Sequence, residues 1–292
     1  MNTAELATAV DRFVKQTGRT GAEIQTGVAN LMVLRHDRPT ALESTLYRPV
    51  VCLILQGSKE TSVGDRTIRL EAGQSVIVSH DLPVVSRVIE ARRDQAYLAI
   101  ILTLDLGIVR GLYEQVGSEA LEEGPGRAME VHDTDPALID ALGRYFALIG
   151  QGIEIEVMGP LILREIHFRL LMAPHGGTLR RLLRVDSHAS RIARAIARIR
   201  TDFRTPLTVA DLASVAGMSA SSFHDHFKTI TETTPLQYQK ELRLLEARRL
   251  LSEGAHSVSA AAFEVGYESP TQFSREYARK FGVSPRQDVG AV

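Results

Sequence analysis

The chain has 292 residues, 44% apolar and 24% charged, a globular balance that excludes a disordered class and suits about two domains. No run of about 18 apolar residues occurs, so no membrane span is expected, and Met1–Val14 carries Glu5 and Asp11 where a secretory leader would be basic and then apolar. The net charge of −1 is unevenly spread, +3 over His188–Val292 against −4 over Met1–Ser187, which admits a nucleic-acid partner without requiring one.

From about Asn30 to Thr103 the apolar runs are short and punctuated by Gly57, Gly64-Asp65, Gly73 and Pro83. This pattern predicts strands over Leu31–Arg35, Val50–Gln56, Thr67–Leu70, Ser75–Ser79, Val84–Ile89 and Tyr97–Leu102. Val63-Gly64-Asp65-Arg66 reads as a tight hairpin, and many short strands suggest a sandwich or barrel. Val50–Leu55 is nearly all apolar, so either both its faces are covered or the inner one lines a cavity. The sole cysteine, Cys52, lies in this run; no intrachain disulfide can form, and a reducing cytoplasm fits.

Beyond Leu104 the period becomes helical. Leu138, Leu142, Tyr145, Phe146 and Ile149 recur at helix spacing, as do Leu161, Ile162, Glu165, Phe168, Arg169 and Met172. With Gly150–Gly152 between them, they predict a helical hairpin over about residues 135–173. Pro174-His175-Gly176-Gly177 reads as a linker, and everything after Ser187 as helix in seven short pieces. The expected division is a strand-rich domain with its helical hairpin over 1–183 and a helical domain over 184–292. The charge runs Glu122-Glu123-Gly124 and Arg180-Arg181 read as solvated, while Arg191, Arg194 and Arg198 share one helix face that either meets solvent or touches phosphates.

The last third repeats itself. Ser219, Phe223, Phe227 and Pro235 are spaced four, four and eight apart, and Ser269, Phe273, Tyr277 and Pro285 repeat that spacing 50 residues later. Each set follows an alanine-rich helix and a glycine, Gly217 or Gly266, placed where a first helix must stop in a left-handed conformation. Ser219 and Ser269 then cap a second helix, Pro270 suits its first position, and Thr208 with Asp211 caps the helix before. Small Ala213 and Ala262 let the paired helices cross closely, and the aromatic residues face inward. The expectation is two helix-turn-helix units, about 208–229 and 257–281, joined by a long helix over Pro235–Leu251. The outward faces hold Ser221, His224, Asp225 and Lys228 in the first unit, and Ser269, Thr271, Gln272, Ser274, Arg275 and Arg279 in the second. Such a helix fits the major groove of B-DNA; Gln pairs bidentately with adenine and Arg with guanine.

The segment Ala261-Ala262-Phe263-Glu264-Val265-Gly266-Tyr267-Glu268-Ser269-Pro270, with Gln272-Phe273-Ser274-Arg275-Glu276-Tyr277, Lys280-Phe281-Gly282 and Pro285, closely resembles the AraC/XylS family of transcription regulators. Leu212-Ala213, Met218-Ser219, Phe223-His224, Phe227-Lys228 and the joining helix through Leu250-Leu251 extend the likeness over about Ile192–Asp288. Arg48-Pro49-Val50-Val51-Cys52, Gln56-Gly57-Ser58-Lys59 and Asp81-Leu82-Pro83 resemble the cupin-like sensor domain of one subgroup. The resemblance implies an α+β protein: an N-terminal cupin-like β-barrel with a helical hairpin, then an all-α tandem helix-turn-helix domain. It also implies double-stranded promoter DNA, RNA polymerase, a small-molecule effector and a homodimer as partners, activation more often than repression, and no membrane. Asp225 departs from the pattern, since family members usually carry a basic or polar base-contacting residue there; an acid is repelled by phosphates but can accept from a cytosine amino group.

In the sensor half, Tyr47, Arg48, Cys52, Gln56, Lys59 and His80 are the candidate ligand contacts. Cys52 is either a buried small hydrophobe or a thiol that senses electrophiles, and the latter needs a lowered pKa. His36, His80 and His132 are too scattered for a metal cluster, so no metal and no cofactor are expected. The competing readings are a cupin-type metal-dependent enzyme with a helical appendage, which needs a ligand cluster, and a module whose helical repeats bind another protein.

Overall fold

The computed structural model describes residues 1–18, 23–116, 126–173, 176–184, 186–254 and 256–289. The Glu122-Glu123-Gly124 run and Pro174-His175 of the expected linker lie outside them.

The chain begins with α1 (Thr3–Thr17), which the period-based reading passed over. Asn2 and Glu5 form a capping box at its start, and Leu6, Ala7, Val10 and Val14 make one buried stripe at helix spacing. Then come β1 (Ile24–Gln25), β2 (Leu31–His36), β3 (Glu43–Tyr47), β4 (Val50–Gln56), β5 (Ser58–Val63), β6 (Arg66–Glu71), β7 (Gln74–Val78), β8 (Leu82–Glu90) and β9 (Tyr97–Thr103). After α2 (Leu106–Val116) the chain returns to the sheet as β10 (Met129–Asp133). The six expected strands are all present. β5 was implied only as an arm of the Val63–Arg66 hairpin, and the edge strands β1, β3 and β10 were not expected. Each of these is short or polar, and it is pairing on a sheet edge that makes it a strand, beside β2, β8 and β7 respectively.

Two antiparallel sheets result, of order β1-β2-β9-β4-β7-β10 and β3-β8-β5-β6. The Val63–Arg66 hairpin closes β5 on β6, with Gly64 at φ +54°. Between the sheets lie Leu34, Ile54, Val63, Leu70, Val76, Val78, Val84, Val88 and Ala99. Behind the larger sheet, Leu31, Val33, Val51, Leu53, Ile77, Leu98, Ile100 and Leu102 pack under α1 and the helical hairpin α3 (Pro136–Phe146) and α4 (Gly152–Met172). Both alternatives for the apolar run of β4 are therefore realised at once: Val51 and Leu53 face the helices, while Val50 and Cys52 face a cavity.

The helical remainder is α5 (Gly177–Leu183), α6 (His188–Asp202), α7 (Val209–Ala216), α8 (Ala220–Thr231), α9 (Pro235–Ser252), α10 (Val258–Glu264), α11 (Pro270–Phe281) and α12 (Pro285–Val289). Beyond Ser187 these are the seven expected pieces; α5 turns Gly177 of the expected linker into a helix start. Arg180 fixes α5, donating to Leu171 O at 2.6 Å and Ala173 O at 3.0 Å.

Candidate nucleic-acid interface and barrel cavity

The two repeats fold as the spacing requires. In the first, Thr208 and Asp211 form a capping box, Gly217 ends α7 at φ +64°, and Ser219 Oγ accepts from Ser222 N to start α8. In the second, Ser257 caps α10, Gly266 turns at φ +88°, and Ser269 Oγ accepts from Gln272 N to start α11. Gly266 meets a further demand that spacing does not show: a Cβ there would stand 2.0 Å from Arg204 O. Phe223, Phe227, Phe273 and Tyr277 are fully buried, and Ala213 and Ala262 nearly so, which lets each helix pair close.

The connector α9 clamps the units together. Arg243 donates to Phe203 O at 2.6 Å and Thr205 O at 3.1 Å in the α6–α7 loop, and to Gly266 O at 2.9 Å in the second turn. Lys240–Glu276 (3.1 Å) and Lys280–Glu241 (3.2 Å) pin α11 to it. Tyr267 Oη adds a bond to Glu276 at 2.8 Å, and Tyr277 Oη donates to Asp288 at 2.6 Å.

Around these anchors, Ser221, Asp225, Lys228, Thr271, Gln272, Arg275 and Arg279 are exposed, with His224 half-buried. Among the described residues Lys228, Arg275 and Arg279 have no ion-pair partner, so their charges remain available. Three expected contacts already have partners within the protein: Ser269 Oγ is the helix cap, Ser274 Oγ donates to Pro270 O at 2.8 Å, and Gln272 Nε2 donates to Glu276 at 3.2 Å. Asp225 projects furthest, its side chain 83% exposed, 3.8 Å from the His224 ring. The three arginines weighed as phosphate contacts point elsewhere. Arg191 donates to Gly217 O and Arg194 to Ala216 O, closing the end of α7, and Arg198 pairs with Asp202.

The barrel holds a cavity of about 400 Å³ between its sheets. Tyr47, Arg48, Cys52 and Lys59 line it, as do Met32, Leu34, Leu46, Val50, Val88 and Ile101. Glu23, Glu43 and Arg48 are exposed at its rim, whereas Lys59 lies inside and donates from Nζ to Tyr47 Oη at 2.7 Å. Burial pushes the Cys52 thiol up to about 11, the opposite of what a sensor thiolate needs; what little surface Cys52 shows faces the cavity. Gln56 stands outside the cavity, in a separate hollow, where its amide donates to Ala96 O at 2.7 Å.

His80 is also elsewhere. It is buried where the barrel meets the first helix-turn-helix unit, with Nε2–H donating to Ala189 O at 3.1 Å and Nδ1 accepting from Ser79 Oγ. Beside it Asp81 pairs with Arg200, and Tyr238 Oη donates to the Asp81 carbonyl at 2.7 Å. Ala128 N donates to Ile230 O, and Arg66 pairs with Glu232 at 2.9 Å. Gly64 is needed at the hairpin tip, where a Cβ would stand 2.1 Å from Glu232 O. The apolar interior is continuous across this junction, from Val84 and Ala128 through Ile192 and Ile196 to Phe223, Phe227 and Tyr238. Sequence reasoning missed this role for Asp81-Leu82-Pro83. It also missed His36 in the cavity wall.

Residues 27–178 match the family described as AraC-type transcriptional regulator N-terminus, and residues 212–289 match a helix-turn-helix domain family. CdhR of Pseudomonas aeruginosa is 30% identical over 132 residues, 45% of this chain and 37% of that protein. RclR of Escherichia coli is 40% identical over 78 residues, 27% of this chain and 28% of that protein. RhaS of Escherichia fergusonii is 33% identical over 126 residues, 42% of this chain and 44% of that protein. The chain thus spans less than half the length of these curated relatives. In fold it is similar to apo ToxT from Vibrio cholerae, with a TM-score of 0.57 at 12% identity over 92% of this chain and 98% of that one. A ToxT structure with bound unsaturated fatty acid gives 0.50 at 11% identity over 93% and 96%. With its N-terminal half and its tandem repeat both accounted for, the chain belongs to the AraC family of transcriptional regulators.

Proposed function

We propose that this chain is a sequence-specific transcription regulator whose tandem units bind double-stranded promoter DNA under the control of a small molecule held in the barrel. The observation that carries the reading is the split character of α8 and α11. One face of each is locked inside by fully buried aromatic residues, and the other presents the exposed cations Lys228, Arg275 and Arg279 and the Gln272 amide at the width of a major groove. Gln272, Arg275 and Arg279 read base edges or phosphates from the second unit; Ser221, His224 and Lys228 do so from the first, where Asp225 lowers affinity. Ser269 acts by holding the helix N-terminus in place.

The barrel cavity is the effector site, with Tyr47, Arg48, Cys52 and Lys59 in its wall. The continuous core between barrel and first unit supports the coupling, because an effector that repacks the interior alters the seat of α6 and α8. The exposed apolar stripe on α4 (Ile153, Val157, Leu161, Phe168, Met172) supports a homodimer. RhaS is described as an activator, and we read this chain likewise, acting on RNA polymerase in the cytoplasm. No helix of the described residues is long and apolar enough to cross a membrane.

The test is retrieval of genomic DNA by the full-length protein, then footprints and affinities on the recovered sites. Arg275→Ala should relax base preference by about 1–3 kcal/mol at one position. Unchanged footprints and affinities would remove α11 from the groove.

A further inference from the structure

Lys59 projects from β5 into the barrel, and among the described residues no carboxylate lies within ion-pairing distance of its ammonium. Its one hydrogen bond goes to the Tyr47 hydroxyl, which leaves two of its three donors open. The acids of the cavity, Glu23 and Glu43, stand exposed at the rim, and the nearby Arg87 is already paired with Glu60. Lys59 is partly buried, and a charge drawn out of bulk water in this way favours an anionic partner.

The rest of the wall is apolar at Met32, Leu34, Leu46, Val50, Val88 and Ile101 and carries neutral polar groups at Thr40, Thr45, Ser86 and Thr103.

We infer that the cavity is built for a monocarboxylate with an apolar body, its carboxylate received by Lys59 and its chain or ring packed between the two sheets. The volume of about 400 Å³ lies in the range of small-molecule sites. The carboxylate completes the coordination of the ammonium and gives the Tyr47 hydroxyl an acceptor. This deepens the proposed effector reading and rests on it for location, although the binding chemistry can be tested independently of DNA.

The full-length protein is titrated calorimetrically with straight-chain monocarboxylates from butyrate to decanoate, with benzoate and with 4-phenylbutyrate. The corresponding uncharged amides are run in parallel. We expect at least one acid to bind and its amide to bind at least 100-fold more weakly. Lys59→Met should abolish the acid's binding while leaving the melting temperature of the ligand-free protein unchanged. A merely structural lysine would lower the melting temperature instead. Lys59→Arg, which keeps the charge, should retain measurable binding, and Tyr47→Phe should weaken it with the fold intact. Equal binding of acid and amide, binding untouched by Lys59→Met, or no binding by any acid each overturns the inference. If acids bind through Lys59 but leave operator affinity unchanged, the effector reading fails while the site stands; a neutral compound that binds and shifts operator affinity does the reverse.

Discussion

Cys52 and Lys59 line one cavity from different sheets, and their surroundings push them to opposite chemical uses. Burial drives the thiol to about 11, so at neutral pH Cys52 is a protonated, apolar wall residue. Cys52→Ser should leave any response to reactive carbonyls unchanged, and iodoacetamide should label the native chain at pH 7.5 far more slowly than the unfolded chain. His167 shows how burial fixes a tautomer. Its Nδ1–H donates to Leu163 O at 2.7 Å, and Nε2 accepts from Asp105 N at 2.9 Å, so a second proton would set two donors against each other. Burial accordingly holds the ring below its ordinary value of 6.5, and His36 and His80 shift the same way for the same reason. An unfolded chain takes up these protons first, so this stability is full above pH 6.5 and is lost as the pH falls below it. Melting temperatures should fall from pH 7 to pH 5, and less steeply in His167→Gln.

At the scale of elements, the two turn glycines separate conformation from crowding. Both lie in the left-handed region, but a Cβ at Gly217 meets nothing within 4 Å, whereas one at Gly266 runs into the Arg204 carbonyl. Gly217→Ala should therefore cost roughly 1–2 kcal/mol, the left-handed penalty alone. Gly266→Ala should cost clearly more, and denaturant unfolding of the two variants measures the difference. The α4 stripe invites a second test. Leu161 is 59% exposed, so Leu161→Glu should leave the melting temperature intact and dissociate a dimer in light scattering. A sample that is monomeric before the change removes the proposed dimer face.

At the scale of the molecule, the units of the repeat are not equivalent. The first shares its core with the barrel, from Val84 to Phe227; the second has its own, built from Leu244, Ala247, Leu251, Ala261, Phe273 and Tyr277. Asp81 is the polar hinge of the shared seam, with its side chain only 10% exposed against Arg200. Asp81→Ala should cost about 1–3 kcal/mol. In hydrogen exchange, the loss of protection should appear in α6 and α8 and spare α11. The proposed effector control would then act through the first unit, with the second as a constant grip.

Local rules were enough to read the caps, turns, strand alternation and the doubled helix-turn-helix, because each depends on residues within a few positions of one another. Ser219, Ser269, Gly217 and the paired aromatic residues announce themselves by spacing alone, and with them the exposed faces of α8 and α11. The seam was not legible, because His80 meets Ala189 and Asp81 meets Arg200 across more than 100 residues, and nothing near either partner marks the pairing. The same holds for β3 and β10, which are strands only through their neighbours, and for Lys59, whose lack of a counter-ion is a property of the space around it. Long-range closure decides which polar groups are satisfied and which are left waiting, and only the assembled barrel shows that.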